Sequence, residues 1–157
     1  MSKTSVGPLV LINQTMDAAA YKKIMEKHML SFATQMMPQG WTLYQDNDPK
    51  HKSRLMMGRL VTLRSGTQAR LPGWFAANDV KLINPPPYSP DINVIEHLWS
   101  FVKSQLKGKK FDSKVALWMY IQRVWSTIPH SLLQNLVHSM PDRLNEVIKA
   151  KGGPTKY

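Results

Sequence analysis

Cysteine is absent from this chain of 157 residues, which excludes disulfide bonds and metal sites built from thiolates. No apolar run approaches the ~20 residues that a membrane-spanning helix needs, so we expect no membrane span. The first seven residues are polar and lack the apolar core of a secretory signal peptide. Together these absences indicate an intracellular protein.

Acidic residues are scarce as well. The chain has 10 Asp and Glu against 21 Lys and Arg, which gives a formal net charge of +11 at pH 7. A surplus of this size favours association with nucleic acid or with an anionic membrane surface. The one dense basic run is either a nucleic-acid contact or the solvated end of a helix, and it contains Lys103, Lys107, Lys109 and Lys110.

The pattern of apolar runs and breakers predicts one α/β domain over residues 1–157. Short apolar runs predict three strands, at Leu9–Ile12, Trp41–Tyr44 and Val80–Ile83. The spacing of apolar residues predicts a helix from Ala18 to about Met36, with Asp17 as its cap.

The rest of the chain is predicted to be mostly helical, with residues 111–157 as a helical tail. Residues 58–72 are basic and contain breakers, so we predict a loop or an insertion there. Ser139 can cap a restart of the last helix at Pro141, and Gly152 with Gly153 would end it. One predicted helix begins near His51. The others run from Ser89 to about Lys107, from Ser113 to Ile128 and from Ser131 to Lys149.

Two acids lie where an α/β domain places a ligand site. Asp46 follows the second predicted strand, and in open α/β sheets ligands bind beyond the carboxyl ends of strands. Glu96 adjoins the apolar stripe of a predicted helix, so its carboxylate faces the protein or its edge and needs a countercharge. Both are oxygen donors of the kind that Mg²⁺ prefers. Each also has a simpler reading, since Asp46 can serve a turn and Glu96 can pair with a lysine.

Other metal and catalytic motifs are missing from the sequence. Asp46-Asn47-Asp48 begins like a Ca²⁺ loop, but Lys50 takes a ligand position and His51 the glycine position. There is no histidine pair at Zn²⁺-site spacing, no glycine-rich phosphate loop and no Gly-x-Ser-x-Gly motif. The sequence therefore offers no zinc hydrolase, P-loop nucleotidase or α/β-hydrolase site.

Two segments resemble motifs of the Tc/mariner-type DDE transposases. Residues 45–51 (Gln-Asp-Asn-Asp-Pro-Lys-His) resemble the second-aspartate motif, and Tyr88 to Trp99 resembles the final-glutamate motif, with Glu96 as the acid. The opening, Gly7 to Tyr21, is similar to the segment between the family's first and second catalytic acids. Residues 139–157 are similar to the end of the nematode-type members. The resemblance spans nearly the whole chain and points to the carboxyl-terminal part of the catalytic domain.

The resemblance implies a ribonuclease-H-like fold that is incomplete, lacks the first strands and has a helical carboxyl-terminal part. It implies that Asp46 and Glu96 are catalytic residues and ligands of Mg²⁺ or Mn²⁺. Their carboxylates would converge on one pocket, which would bind two metal ions in a complete domain. It implies nicking of DNA and then attack of a 3′ hydroxyl on target DNA, in the nucleus. The implied partners are DNA and a second copy or a full-length transposase. Asn47 and His51 match motif positions without an assigned step, and Asn93 matches a position that could brace the Glu96 helix.

The chain departs from the family pattern where catalysis is concerned. The family needs a further aspartate on an upstream strand, and the acids before Asp46, Asp17 and Glu26, lie in or beside a predicted helix. The stretch from Asp46 to Glu96 is longer than usual, Val94 replaces a usual proline, and the family's helix-turn-helix region is not in this chain. We therefore expect a transposase fragment that is inactive alone. The alternatives are a non-enzymatic remnant that binds DNA or a transposase, and a product without function.

Overall fold

The computed structural model describes residues 1–87, 89–151 and 153–157. The chain forms two compact units, which are described separately. We name Ile12–Pro87 the strand unit, and Met1–Leu11 with Tyr88–Tyr157 the helical unit. Over the described ranges, no helix is both long and apolar enough to cross a bilayer.

The strand unit begins with a long helical segment. Asp17 caps this segment, because its Oδ1 accepts a hydrogen bond from the backbone N–H of Ala20 at 2.7 Å. A wider, π-helical stretch, Met25–Leu30, lies in its middle. The elements of the unit are α1 (Ala18–Ile24), α2 (Ser31–Met36), β1 (Thr42–Tyr44), α3 (Arg54–Met57), β2 (Gly58–Thr62), β3 (Gln68–Pro72), α4 (Trp74–Ala77) and β4 (Lys81–Ile83).

Two strand pairs organise this unit. β1 and β4 are parallel, with Leu43 opposite Leu82, whereas β2 and β3 form an antiparallel hairpin with Val61 opposite Ala69. Parallel strands cannot be joined by a tight turn, so α3, the hairpin and α4 all lie in the connection between β1 and β4. The core that these elements share contains Tyr21, Met25, Met56, Trp74, Phe75 and Val80.

The helical unit is built on four helices and holds the amino-terminal segment against them. The indole Nε1 of Trp125 donates a hydrogen bond to the carbonyl oxygen of Gly7 at 2.8 Å, and its ring stacks on Trp99 at 5.1 Å between centroids. The buried core contains Leu98, Val102, Val124, Trp125, Leu133 and Leu136. A 3₁₀ turn, Pro90–Ile92, precedes α5 (Ile95–Leu106), α6 (Lys114–Ser126), α7 (His130–His138) and α8 (Met140–Ala150).

The structure confirms the predicted strands at residues 41–44 and 80–83 and the helical segment at residues 18–36. It contradicts the strand predicted at Leu9–Ile12, which has no regular secondary structure. Leu9 packs on the core of the helical unit, while Leu11 and Ile12 are about half exposed. The start of this apolar run therefore contributes to packing, and its end is left partly exposed.

The loop predicted at residues 58–72 is also wrong, because these residues form the β2–β3 hairpin. Gly66, one of the breakers in this segment, adopts φ +80° in the turn, a conformation that closes hairpins. The turn is held by the N–H of Leu63, which donates to the carbonyl oxygen of Thr67 at 2.8 Å. Whether the segment is an insertion stays a prediction.

Several predicted helix ends need correction. The helix expected near His51 begins at Arg54, after a cap by Ser53, and the helix expected from Ser89 is interrupted after the 3₁₀ turn and restarts at Ile95. Ser139 makes no side-chain cap hydrogen bond for α8. Its hydroxyl donates to the carbonyl oxygen of Leu136 at 2.8 Å and accepts from Nε of Arg143 at 2.9 Å. Two predicted motif positions, Tyr88 and Gly152, lie outside the described residues.

The hairpin joins the rest of the strand unit through a close backbone approach between Gly58 and Gly73. A Cβ added to Gly73 would collide with the backbone of Gly58 and Met56, although the φ of Gly73 is ordinary. We predict that Gly73→Ala lowers the free energy of unfolding by about 2–4 kcal/mol, because backbone cannot move aside as a side chain can. Chemical denaturation of the purified chain measures this.

Gly66→Ala is the matched control, since a Cβ there meets open space and only the positive φ is strained. It should cost only about 1–2 kcal/mol. Equal losses for the two variants would mean that the close approach at Gly73 contributes nothing.

Candidate functional site

Asp46 lies two residues beyond the carboxyl end of β1, as the sequence predicts. Its side chain is 62% exposed, and its Oδ1 accepts a hydrogen bond from the backbone N–H of Asp48 at 3.1 Å. Nδ1 of His51 lies 2.8 Å from the same oxygen, which is an ion pair when the imidazole is protonated. The nitrogen is not aligned for a hydrogen bond. The carboxylate is thus held from one side and open on the other.

His51 is itself positioned by an aromatic contact. Its ring lies 4.2 Å from the ring of Tyr21, centroid to centroid, and its side chain is only 15% exposed. The hydroxyl of Tyr21 donates a hydrogen bond to Oε1 of Gln45 at 2.9 Å. Burial raises the pKa of Tyr21, and the charges of Asp46 and Asp48 raise it further. Tyr21 therefore stays protonated and keeps donating to the residue before Asp46.

The loop after Asp46 is fixed at two more points. The amide of Asn47 donates hydrogen bonds to the carbonyl oxygens of Pro85 and Pro86, at 3.2 and 3.4 Å. Asp48 pairs with Lys50, whose Nζ lies 2.8 Å from its Oδ2. Hydrogen bonds from the side chain and the backbone of Lys50 lower the pKa of Asp48. The loop is therefore tied both to itself and to the chain that follows β4.

Glu96 lies in the first turn of α5 and is exposed, so of the two expected positions it takes the edge of the protein and not its interior. A carboxylate at this end of a helix is favoured by the helix dipole. No lysine or arginine pairs with it in the described part of the chain, so the simpler reading of a surface ion pair is not supported. Asn93 braces the helix start through its backbone, since its carbonyl oxygen accepts from the N–H of Glu96 at 3.1 Å.

Arg143 is a buried charged residue, only 3% exposed, that the sequence pattern did not single out. Its guanidinium donates to the carbonyl oxygen of Asp91 at 2.7 Å and to the hydroxyl of Ser139 at 2.9 Å, and it lies 4.2 Å from the ring centroid of Tyr157. Its Nη2 is 3.1 Å from Nε2 of His97. Arg143 therefore joins the tail to the segment that precedes the Glu96 helix. The sequence held one signal for its burial, because Arg143 lies at helical spacing from the apolar Met140 and Val147 on α8.

His97, which follows Glu96, must accept the hydrogen bond from Arg143, because a guanidinium has no acceptor atom. Burial lowers the pKa of His97, the charge of Arg143 lowers it further, and Glu96 acts in the opposite direction. The neutral ring then carries its proton on Nδ1, a buried atom without a hydrogen-bond partner among the described residues. The environment of this histidine thus favours the uncharged imidazole.

Asp46 belongs to the strand unit and Glu96 to the helical unit. Both offer the hard oxygen atoms that suit Mg²⁺ or Mn²⁺. Across the described residues, no group of three or more histidine, cysteine, aspartate or glutamate side chains is arranged to hold a metal ion. The assignment of Asp46 and Glu96 as catalytic metal ligands stays a prediction.

Replacement of Arg143 tests its role in the helical unit. We predict that Arg143→Met lowers the free energy of unfolding by about 1–3 kcal/mol, because it leaves the carbonyl oxygen of Asp91 and Nε2 of His97 without their donor. Arg143→Lys should lose nearly as much, since an ammonium cannot reproduce the planar fork. Denaturant unfolding measures both.

Arg123→Met on α6 is the control, because Arg123 is exposed and its replacement should stay within about 0.5 kcal/mol. An Arg143→Met protein as stable as the wild type would show that desolvation of the guanidinium cancels its hydrogen bonds.

Val94 precedes α5 with φ −61°, which is the angle that proline imposes. Its N–H makes no hydrogen bond in the described structure. We predict that Val94→Pro raises the free energy of unfolding by about 0.4–1 kcal/mol by restricting the unfolded chain. Val94→Ala, which trims the packing without fixing φ, should lower it instead. A loss of stability in Val94→Pro would contradict this.

Comparison with known proteins identifies the family. Residues 4–117 match the family described as DDE superfamily endonuclease. The chain is 37% identical to the Tcb1 transposase of Caenorhabditis briggsae and 37% identical to the Tc1 transposase of Caenorhabditis elegans, each over 99% of this chain and 52% of the relative. It therefore spans about half the length of these curated relatives.

Solved structures show the same fold. The Mos1 mariner paired-end complex with Mg matches 98% of this chain and 42% of its own, with a TM-score of 0.77 and 17% identity. The Mos1 mariner catalytic domain matches 95% of this chain and 69% of its own, with a TM-score of 0.71 and 17% identity. The predicted ribonuclease-H-like fold is thus confirmed. The chain belongs to the DDE superfamily of endonucleases, and within it to the Tc/mariner-type transposases.

Proposed function

We propose that this chain supplies metal-binding and DNA-contacting residues of a transposase that cleaves DNA and joins the cut end to a target. The family supports this proposal, since the relatives are transposases of transposable elements. Structures with a similar fold contain a left transposon end, or contain Mn or Mg. We further propose that the protein acts in the nucleus, where its DNA would lie.

The position of Asp46 is the observation that carries the proposal. It stands beyond the carboxyl end of a parallel strand, where this class of sheet binds ligands. Its loop is fixed by Asn47 and by the tilted ring contact between His51 and Tyr21. Such fixing lowers the cost of ordering the loop when a cation binds.

Asp46 and Glu96 are the proposed ligands of Mg²⁺ or Mn²⁺. When bound, such ions activate the attacking oxygen and stabilise the leaving oxygen of the phosphodiester. His51 supplies positive charge beside Asp46 when it is protonated and restrains the direction of that carboxylate. Glu96 contributes a second carboxylate from the start of a helix.

The chain alone is proposed to be inactive, because the family needs an upstream aspartate on a strand, whereas Asp17 caps α1 and Glu26 lies within the helical segment. The net charge of +11 supports a second candidate, a non-enzymatic remnant that binds DNA or a transposase. Metal binding separates the two, since only the first candidate needs it.

Mn²⁺ binding to the full chain, measured by electron paramagnetic resonance, tests the ligand assignment. We predict that Asp46→Asn and Glu96→Gln each weaken binding by at least about tenfold, because even residues that only support metal ligands cost 10–100-fold when changed. The matched controls are Asp79→Asn and Glu146→Gln, which should bind Mn²⁺ like the wild type. Asp79 has φ +53°, an angle that asparagine also adopts.

Nicking of supercoiled DNA in Mg²⁺ provides the second measurement. The wild-type chain should bind Mn²⁺ and leave the plasmid intact. Salt-sensitive DNA binding without Mn²⁺ binding would favour the remnant. Nicking that disappears in Asp46→Asn and Glu96→Gln would show that the chain is active alone.

A further inference from the structure

The β2–β3 hairpin lies in a long stretch of the chain that contains basic residues and no acidic ones. Residues 49–78 contain six lysines and arginines and no aspartate or glutamate. Three of these cations, Arg59, Arg64 and Arg70, are on the hairpin, and all three are exposed. None of them pairs with an acid in the described structure. This charge is therefore available to a polyanion.

The register of the hairpin sorts its side chains onto two faces. Directly opposed residues share a face, so the pairs Leu60–Arg70 and Thr62–Gln68 lie together. All four of these residues are exposed, and we name them the open face. On the other face, Val61 and Ala69 are partly covered, whereas Arg59 and Leu71 are exposed. The open face thus presents two long hydrogen-bond donors, a hydroxyl and one aliphatic side chain to solvent.

The base of the hairpin is fixed. Gly58 and Gly73 bring their backbones together at the point where the hairpin leaves α3 and α4, and Met56 beside them is fully buried. Arg70 also lines an open cavity of about 220 Å³ with Met57 and Phe75. The aliphatic part of an arginine side chain can pack against the apolar residues of a cavity while its guanidinium stays in water. The arginines are therefore presented on an anchored ribbon.

We propose that the β2–β3 hairpin is a binding element for double-stranded DNA. The major groove of B-form DNA admits a two-stranded β-ribbon. Arginine, glutamine and threonine on the open face offer the donors that base edges accept, while Arg59 and Arg64 bind backbone phosphates. The choice of DNA among polyanions rests on the proposed function. The ribbon does not fit the major groove of duplex RNA, which is deep and narrow, so we expect weaker binding to RNA.

A salt titration of DNA binding by the full chain tests this in EDTA, so that no metal ion takes part. The variant is Arg59→Gln with Arg64→Gln, measured on a short duplex by fluorescence anisotropy. The slope of log K against log salt is negative, and loss of two phosphate contacts should reduce its magnitude by about 1.8, which is roughly a 60-fold loss of affinity near 0.1 M salt.

The control removes the same charge elsewhere in the strand unit, by Lys23→Gln with Lys27→Gln. Both lysines are exposed and lie on the helical segment. The control slope should fall by less than about 0.5, because these charges act only at long range. Equal losses in the two double variants would overturn the proposal, and so would a wild-type chain that does not bind DNA.

Two further measurements separate the hairpin from other partners. Arg70→Gln should reduce binding to duplex DNA by about tenfold and leave the weaker binding to duplex RNA unchanged. Equal affinity of the wild type for both duplexes would overturn the proposal.

Leu60, which is 67% exposed, tests whether the hairpin is a protein interface. If Leu60→Ser abolished self-association in sedimentation while the arginine variants bound DNA normally, the hairpin would be a contact between copies.

These outcomes are independent of catalysis. Failure of Mn²⁺ binding at Asp46 and Glu96 would sink the metal-ligand proposal and leave the hairpin result standing. Failure of the salt titration would remove the hairpin from the DNA interface and leave the metal ligands untouched.

Discussion

The parallel pairing of β1 with β4 is the constraint on which the strand unit depends. Because parallel strands point the same way, their carboxyl ends meet at one edge of the sheet. The residues that follow β1 are then close to those that follow β4. This is why the amide of Asn47 reaches the carbonyl oxygens of Pro85 and Pro86. Proline lacks an N–H, so these carbonyls belong to a stretch that cannot extend the sheet by ordinary pairing.

The two acids sit in different electrostatic surroundings. Asp46 has a histidine, a tyrosine and a backbone N–H within its neighbourhood, whereas Glu96 lies at a helix start and interacts electrostatically with His97. Meanwhile Arg143 is buried with hydrogen bonds but without a carboxylate. Burial of a charge is costly unless its donors are satisfied, and here carbonyl, hydroxyl and imidazole acceptors satisfy them. The helical unit thus stabilises the buried guanidinium of Arg143 with neutral hydrogen-bond acceptors, and leaves the carboxylate of Glu96 exposed.

The parts of the fold and of the candidate site that depend on local chemistry could be predicted from the sequence. The strands at residues 41–44 and 80–83 and the helix at residues 18–36 follow from uninterrupted apolar patterns, and Asp46 follows from the first of these strands. The hairpin could not be predicted, because the sequence around Gly66 does not distinguish a hairpin turn from a loop until the strand pairing is known. Arg143 was missed because its acceptors come from residues far away in sequence. The motif resemblance supplied Glu96, which the helical pattern alone could not distinguish from a boundary glutamate.

The contact between Gly58 and Gly73 has a consequence for how this segment could have been acquired. Since the two backbones already touch, the chain can pass from one glycine to the other with or without the ribbon between them. A stretch inserted at such a point adds loop-closure entropy but need not displace α3 or α4. The extra length between the two acids can therefore be carried as an appendage, while the spacing of the surrounding elements in three dimensions is preserved.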